Sequence, residues 1–277
     1  PDTSLVIKAD PIARLTELGA SAPGRLSLAV RTSRGVRFDH DSDRVVPAAS
    51  TIKVAVLLAY LDSGMPWDLP VTLPPGSSRV GGCGPLSLLP SVDRLPAGEL
   101  LRLMIALSDN DATNAILELV GVGAVDRLLA RSGARHTHVR RRMMDQEAAA
   151  AGRDNLATAA ELAELLAQLR AGTLLGERET AMALAVLREQ QFDEGLPAFL
   201  PPDVHCASKT GSLDGVRHDI GVLERDGRWV AVAALTTDLV DAHGIDRGST
   251  AYPVYAALGE ALAALPGAAG SDQARPR

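Results

Sequence analysis

Apolar positions change period four times along this 277-residue chain. Ile12, Leu15 and Leu18 recur at helical spacing behind Pro11, which predicts an opening helix that ends near Gly19. Leu26, Leu28 and Val30 then alternate within Arg25 to Arg31, Ser33-Arg34-Gly35 supplies a turn, and Val36 to His40 resumes the alternation. That pattern predicts a hairpin. From Thr51 to about Gln191 the spacing is helical again, predicting helices over Thr51 to Leu61, Ala97 to Leu107, Ala112 to Leu119, Ala124 to Arg131, Ala157 to Arg170 and Glu177 to Gln190, with Pro66 to Pro75 as a proline-rich loop. Alternation returns at His205 to Ser212, Val216 to Glu224 and Arg228 to Thr236, with Asp226-Gly227 as a tight turn between the last two. Ala251 to Leu265 reads as a closing helix and residues 266–277 as a flexible tail.

Two strands, a helical insertion, three more strands and a terminal helix predict an α/β chain of the α+β kind. Its antiparallel sheet is flanked by helices, with an all-helical lobe beside it and a cleft between the two. Residues 1–49 with 196–265 make the sheet lobe, and 50–195 the helical lobe.

Composition narrows the functions. Hydrophobic residues at 46% exclude a disordered chain, and a net charge of −6 leaves no broad basic surface for nucleic acid. Cys83 and Cys206 are too few and too far apart for a disulfide scaffold or zinc ribbon, and a free structural thiol is the expectation for Cys83. No apolar run approaches membrane-spanning length, and no leader pattern is visible, so a cytoplasmic, monomeric protein acting on a small molecule is expected, or an exported one if a leader was removed. Gly81-Gly82-Cys83-Gly84 lacks the residues of a phosphate loop, and His136, His138, His205 and His218 have no zinc spacing. No metal or other cofactor is expected.

Lysine is scarce. Lys8, Lys53 and Lys209 stand among arginines, which cannot release a proton at working pH. Ser50-Thr51-Ile52-Lys53 opens a helix, so Ser50 and Lys53 share a face, the helix N-terminus favours an oxyanion, and an amine of lowered pKa at Lys53 is placed to take the serine proton. Taken alone, a serine three residues before a lysine is a common accident, and Ser50 reads more often as a plain helix cap. Ser108-Asp109-Asn110 reads in isolation as a cap with a polar turn. Lys209-Thr210-Gly211, followed by Ser212 on a strand, makes either a carboxylate-binding rail or an edge strand blunted by lysine.

In this order, the three motifs resemble the S-x-x-K, S-D-N and K-T-G set of class A β-lactamases and their penicillin-binding relatives. The resemblance runs from Arg25 to the terminal helix and implies a five-stranded antiparallel sheet with an inserted helical lobe. It implies Ser50 as the acylated nucleophile, Lys53 as its base, Ser108 as proton relay to the leaving nitrogen and Asn110 as holder of the substrate amide. Lys209 and Thr210 would bind a carboxylate, and the N–H groups of Ser50 and Ser212 would form the oxyanion hole. Arg217 is either a second carboxylate anchor or a surface strand arginine.

One family motif, E-x-x-L-N, whose glutamate activates the deacylating water, is absent. The corresponding stretch, Arg142 to Ala148 and Gly152 to Asn155, offers Asp145 and Glu147. Glu147 is the candidate base if the loop folds inward, and pairing with Arg140 to Arg142 or capping the next helix is the alternative for either. Asp154 is expected to pin the loop through an arginine. Acylation without fast hydrolysis leaves four readings open: a lactam, amide or ester hydrolase, a D-alanyl-D-alanine peptidase, an acyltransferase of small-molecule biosynthesis, and a noncatalytic sensor acylated once.

Overall fold

A computed structural model describes residues 11–264; Lys8, Leu265 and the expected tail at 266–277 lie outside them. The helices are α1 (Pro11–Ser21), α2 (Lys53–Asp62), α3 (Ala97–Ala106), α4 (Asn110–Val120), α5 (Val122–Arg131), α6 (Gln146–Ala150), α7 (Ala159–Ala171), α8 (Glu177–Leu187) and α9 (Tyr252–Ala264). The strands are β1 (Arg25–Thr32), β2 (Arg37–His40), β3 (Val46–Pro47), β4 (Pro70–Thr72), β5 (Arg94–Pro96), β6 (Leu156–Ala157), β7 (His205–Leu213), β8 (Val216–Arg225) and β9 (Arg228–Thr237).

The main sheet has the five antiparallel strands expected, and their order is β2-β1-β9-β8-β7. Its turns follow backbone chemistry. Asp226 and Gly227 both have positive φ, which matches the right-handed twist of the hairpin they close. Alternation sends Leu28, Val30, Val232 and Ala234 to a core shared with α1 and α9, and Ala29, Ala231, Ala233, Ile220 and Val222 to the opposite core, filled by α2, α3, α7 and their neighbours. Both faces are buried, so β9 reads as the nearly continuous apolar run Val230 to Leu235. Helix α7 is fixed at both ends by its own sequence: Thr158 accepts from Glu161 N, and Gly172 closes it in the left-handed region.

Several boundaries differ from the sequence reading. The expected helix from Thr51 is a 3-10 turn over Ala49–Ile52 that runs into α2. The second motif helix starts at Asn110 rather than Ala112, because the Asp109 carboxylate accepts from Ala112 N and caps it two residues earlier. The proline-rich loop contains β4, paired with β5. Two-residue strands β3 and β6 pair as well, tying the chain before Ser50 to the chain after Asp154. Elements this short carry no periodic signal and are made by their partners.

Candidate active site

Between the sheet and the helical lobe lies a cavity of about 690 Å³, lined among others by Ser50, Ser108, Asn110, Thr210, Ser212 and Arg217. The three motifs therefore meet in space. Gly211 explains how closely: a Cβ there would lie 3.2 Å from the backbone nitrogen of Ser50 and 3.1 Å from Thr51 Cγ2, so β7 passes directly beside the turn that carries the serine. Ser50 and Ser212 both line the same space.

Lys53 and Lys209 are fully buried behind this surface. Lys53 Nζ lies 2.7 Å from Ser108 O, 2.8 Å from Asn110 Oδ1 and 3.1 Å from Ser108 Oγ. Burial pushes its pKa down to about 8, against the opposing pull of Asp109. As a cation, Lys53 donates to all three oxygens; as a neutral amine, it donates to the carbonyl and the amide oxygen and accepts from the Ser108 hydroxyl. Both charge states are thus fully bonded, and the rotatable Ser108 hydroxyl follows the lysine proton. The direct Lys53 to Ser50 contact implied by helical spacing is absent, and among the described residues no hydrogen bond reaches the Ser50 hydroxyl. The stronger acceptors on the Ser108 motif draw the amine across. Lys209 donates to Thr210 O at 2.8 Å, and burial, followed by the charge of Lys53, holds its pKa well below normal. A buried amine does not blunt a strand edge.

Asp109 sits between the two cavity-lining residues of its motif and faces away, accepting from Ala112 N at 2.8 Å and Leu86 N at 2.9 Å. The glycine-rich turn is bound to α4 as well: Asn110 Nδ2 donates to Gly81 O, and Asp111 accepts from Val80 N and Gly81 N. Cys83 lines the cavity, and both cysteines are free. Arg217 borders the cavity but is engaged by Asp246 at 2.7 Å and by the carbonyls of Leu213 and Val216.

Glu147 is displaced from its expected place. It lies exposed on α6, outside the cavity lining, because Asp145 caps that helix by accepting from Ala148 N at 2.9 Å and so turns Gln146 and Ala149 inward instead. The loop presents Met143 and Met144 to the cavity, while Asp154 pins it through Arg141 at 2.7 Å. Among the lining residues the one carboxylate is Glu194, on the segment that leads into β7. Glu194, Phe192, Tyr252, Arg141 and Met143 carry no motif, so sequence reasoning does not reach them; in a chain with only 3% aromatics, scarcity is the signal that singles out Phe192 and Tyr252.

The segment holding Phe192 and Glu194 is tethered by Asp219, whose Oδ2 accepts from Leu196 N at 2.7 Å, and Gly195 is required because a Cβ would stand 2.1 Å from that oxygen. Burial pushes the Asp219 pKa up to about 7. The folded chain keeps this proton from about pH 4, where an ordinary carboxyl loses it, up to about 7, so the group's stabilising contribution is full at acid pH and is lost as pH rises through that window. Melting temperatures of Asp219→Asn minus those of the wild type are expected to climb across the window; a difference independent of pH would contradict the buried, protonated carboxyl.

No helix among the described residues is long and apolar enough to cross a membrane. A family model described as the beta-lactamase enzyme family matches residues 10–263. The chain is 29% identical over 257 residues, covering 75% of this chain and 82% of the relative, to a β-lactamase regulatory protein, BlaB, of Streptomyces cacaoi. It superimposes on a β-lactamase of Sphaerobacter thermophilus with a TM-score of 0.80 at 26% identity, covering 94% of this chain and 98% of the other. On the structure of PBP-A the TM-score is 0.76 at 23% identity, with 92% and 96% covered, a likeness of fold.

Proposed function

The chain belongs to the beta-lactamase enzyme family, and from that membership and the cavity we propose a serine hydrolase acylated on Ser50 by a lactam, amide or ester bearing a nearby carboxylate. The observation that carries this reading is the buried Lys53 amine, bonded to the Ser108 hydroxyl on the same cavity that Ser50 lines.

In the acylation step Ser50 Oγ bonds to the substrate carbonyl carbon and the carbonyl electron pair moves to oxygen, where the N–H groups of Ser50 and Ser212 stabilise it. The serine proton passes to neutral Lys53 through the Ser108 hydroxyl, which lines the same cavity as Ser50 and is already bonded to the amine. Collapse breaks the bond to the leaving group. Where that group is a nitrogen, it takes the Ser108 proton, and Lys53 restores it through the hydrogen bond already in place. Thr210, Ser212 and Arg217, with Lys209 behind them, take the substrate carboxylate, and Asn110 takes the amide of the acyl portion.

Water attack on the acyl-enzyme needs a base, and the loop of Met143 and Met144 offers none, so hydrolysis of the adduct is slow. A pulse of penicillin G followed by mass spectrometry is expected to show one adduct on Ser50 that outlasts the pulse. Absence of both adduct and turnover with any activated lactam or ester would refute the assignment. A second reading, a receptor acylated once that signals, is favoured by the likeness to the β-lactamase regulatory protein of Streptomyces cacaoi. Decay of the adduct within minutes supports the hydrolase, and persistence over hours supports the receptor.

A further inference from the structure

The residue before Ser50 is strained. Ala49 has φ of +48°, a left-handed conformation that is unfavourable for a non-glycine residue. Such a residue keeps its shape only where its surroundings fix it. On one side the chain is fixed by Ala48 N, which donates to Asn155 O at 2.8 Å, and by Thr51, whose N and Oγ1 both donate to Ala48 O. On the other side stands a histidine that the mechanism does not use. His218 is buried on β8, with Nε2 2.8 Å from Pro47 O and Nδ1 2.7 Å from Arg217 O.

A carbonyl oxygen has no proton, so each of these contacts is favourable only where the ring nitrogen carries one. A neutral ring has one N–H for two carbonyls. Arg217 O already receives the Tyr255 hydroxyl at 2.6 Å, whereas Leu156, opposite Pro47 in the β3–β6 pair, gives its N–H to His138 O and leaves Pro47 O to the histidine. We propose that His218 is the positioning residue of the nucleophile turn: a neutral ring, protonated on Nε2, whose donation to Pro47 O fixes Ser50 against the Thr210 to Ser212 edge.

The surroundings favour the neutral ring. Gly211 on β7 and Leu235 on β9 are its cross-strand neighbours and do not titrate. The charged group acting on it is a cation, Arg44; Lys209, on the same face of β7, is a buried amine whose own pKa is held well below normal, and Arg217 and Asp219 alternate to the other face, where Asp246 and Leu196 N engage them. Burial pushes the His218 pKa down to about 4.

This inference rests on Ser50 being the acylated residue, and its test separates the two. Nitrogen-15 NMR of the wild type at neutral pH is expected to show the Nε2–H tautomer. With penicillin G as probe, His218→Ala is expected to slow adduct formation at saturating probe at least tenfold without moving the half-saturating concentration, and to speed hydrogen exchange at Ala48 and Thr51 but not in α7. His218→Gln, which restores a donor, is expected to recover most of both. An Nδ1–H tautomer, or wild-type exchange and acylation in His218→Ala, overturns the proposal. If the wild type takes no adduct, the acylation reading fails, while tautomer and exchange still decide the role of His218. Should His218→Ala not fold, the tautomer and the exchange pattern of His218→Gln decide it.

Discussion

Lys53→Met is expected to lower the rate of Ser50 acylation by about a hundred- to ten-thousand-fold, the range for loss of a positioned proton acceptor. The pH profile gives the sharper outcome. With burial holding the amine at about 8, the neutral fraction that can accept a proton grows as pH rises through that value, so wild-type acylation climbs on the same limb. In Lys53→Met that limb disappears and the residual rate is flat over the window. Methionine fills the buried space without titrating. Acylation rate constants from rapid quench and mass spectrometry over pH 6 to about 10, a range spanning the shifted and ordinary lysine values, decide the matter; a surviving limb would place the base elsewhere.

Gly84→Ala is expected to be the most damaging single-methyl change near the site. Gly84 has φ of +89°, and a Cβ would stand 2.3 Å from Asp109 Cα and 2.2 Å from Asp109 Oδ2. The left-handed backbone adds about 1–2 kcal/mol and overpacking about 1–3 kcal/mol, so a loss of about 2–5 kcal/mol in unfolding free energy is expected. Acylation falls with it, because the displaced residue lies between Ser108 and Asn110, the two partners of Lys53. Gly64→Ala is the control: its φ is +71°, nothing lies within 4 Å of the added carbon, and only the backbone penalty with unchanged acylation is expected. Denaturant unfolding and adduct kinetics measure both. Equal losses in the two variants would show that contact with Asp109 contributes nothing.

The longer elements were legible because their causes are local. Alternation in Leu26, Leu28 and Val30 and the Asp226-Gly227 turn predicted β1, β8 and β9 to within a residue or two, and helical spacing did the same for α3, α5 and α7. Asp109 was readable as a cap for the same reason. The alternative of capping for Asp145 also describes that residue, whereas Glu147 as an inward base does not: which of two neighbouring carboxylates closes a five-residue helix depends on where the preceding loop is pinned, and Arg141 and Asn155 pin it from positions thirteen or more residues apart.

Periodicity states which side chains share a face, and a motif set in fixed order states which family they belong to. Both are properties of the chain as a string, and they determined the sheet, the helical lobe and the identity of Ser50, Lys53, Ser108 and Lys209 as the residues of interest. Distances through space were decided by the tertiary structure alone. It gave the Lys53 amine to Ser108 and Asn110, walled the cavity with Met143 while leaving Glu147 outside it, and brought a β8 histidine to the carbonyl of Pro47. The physical reason is competition: each buried donor takes the best acceptor that packing leaves within about 3 Å, and residues far apart in sequence enter that contest only once the fold has closed.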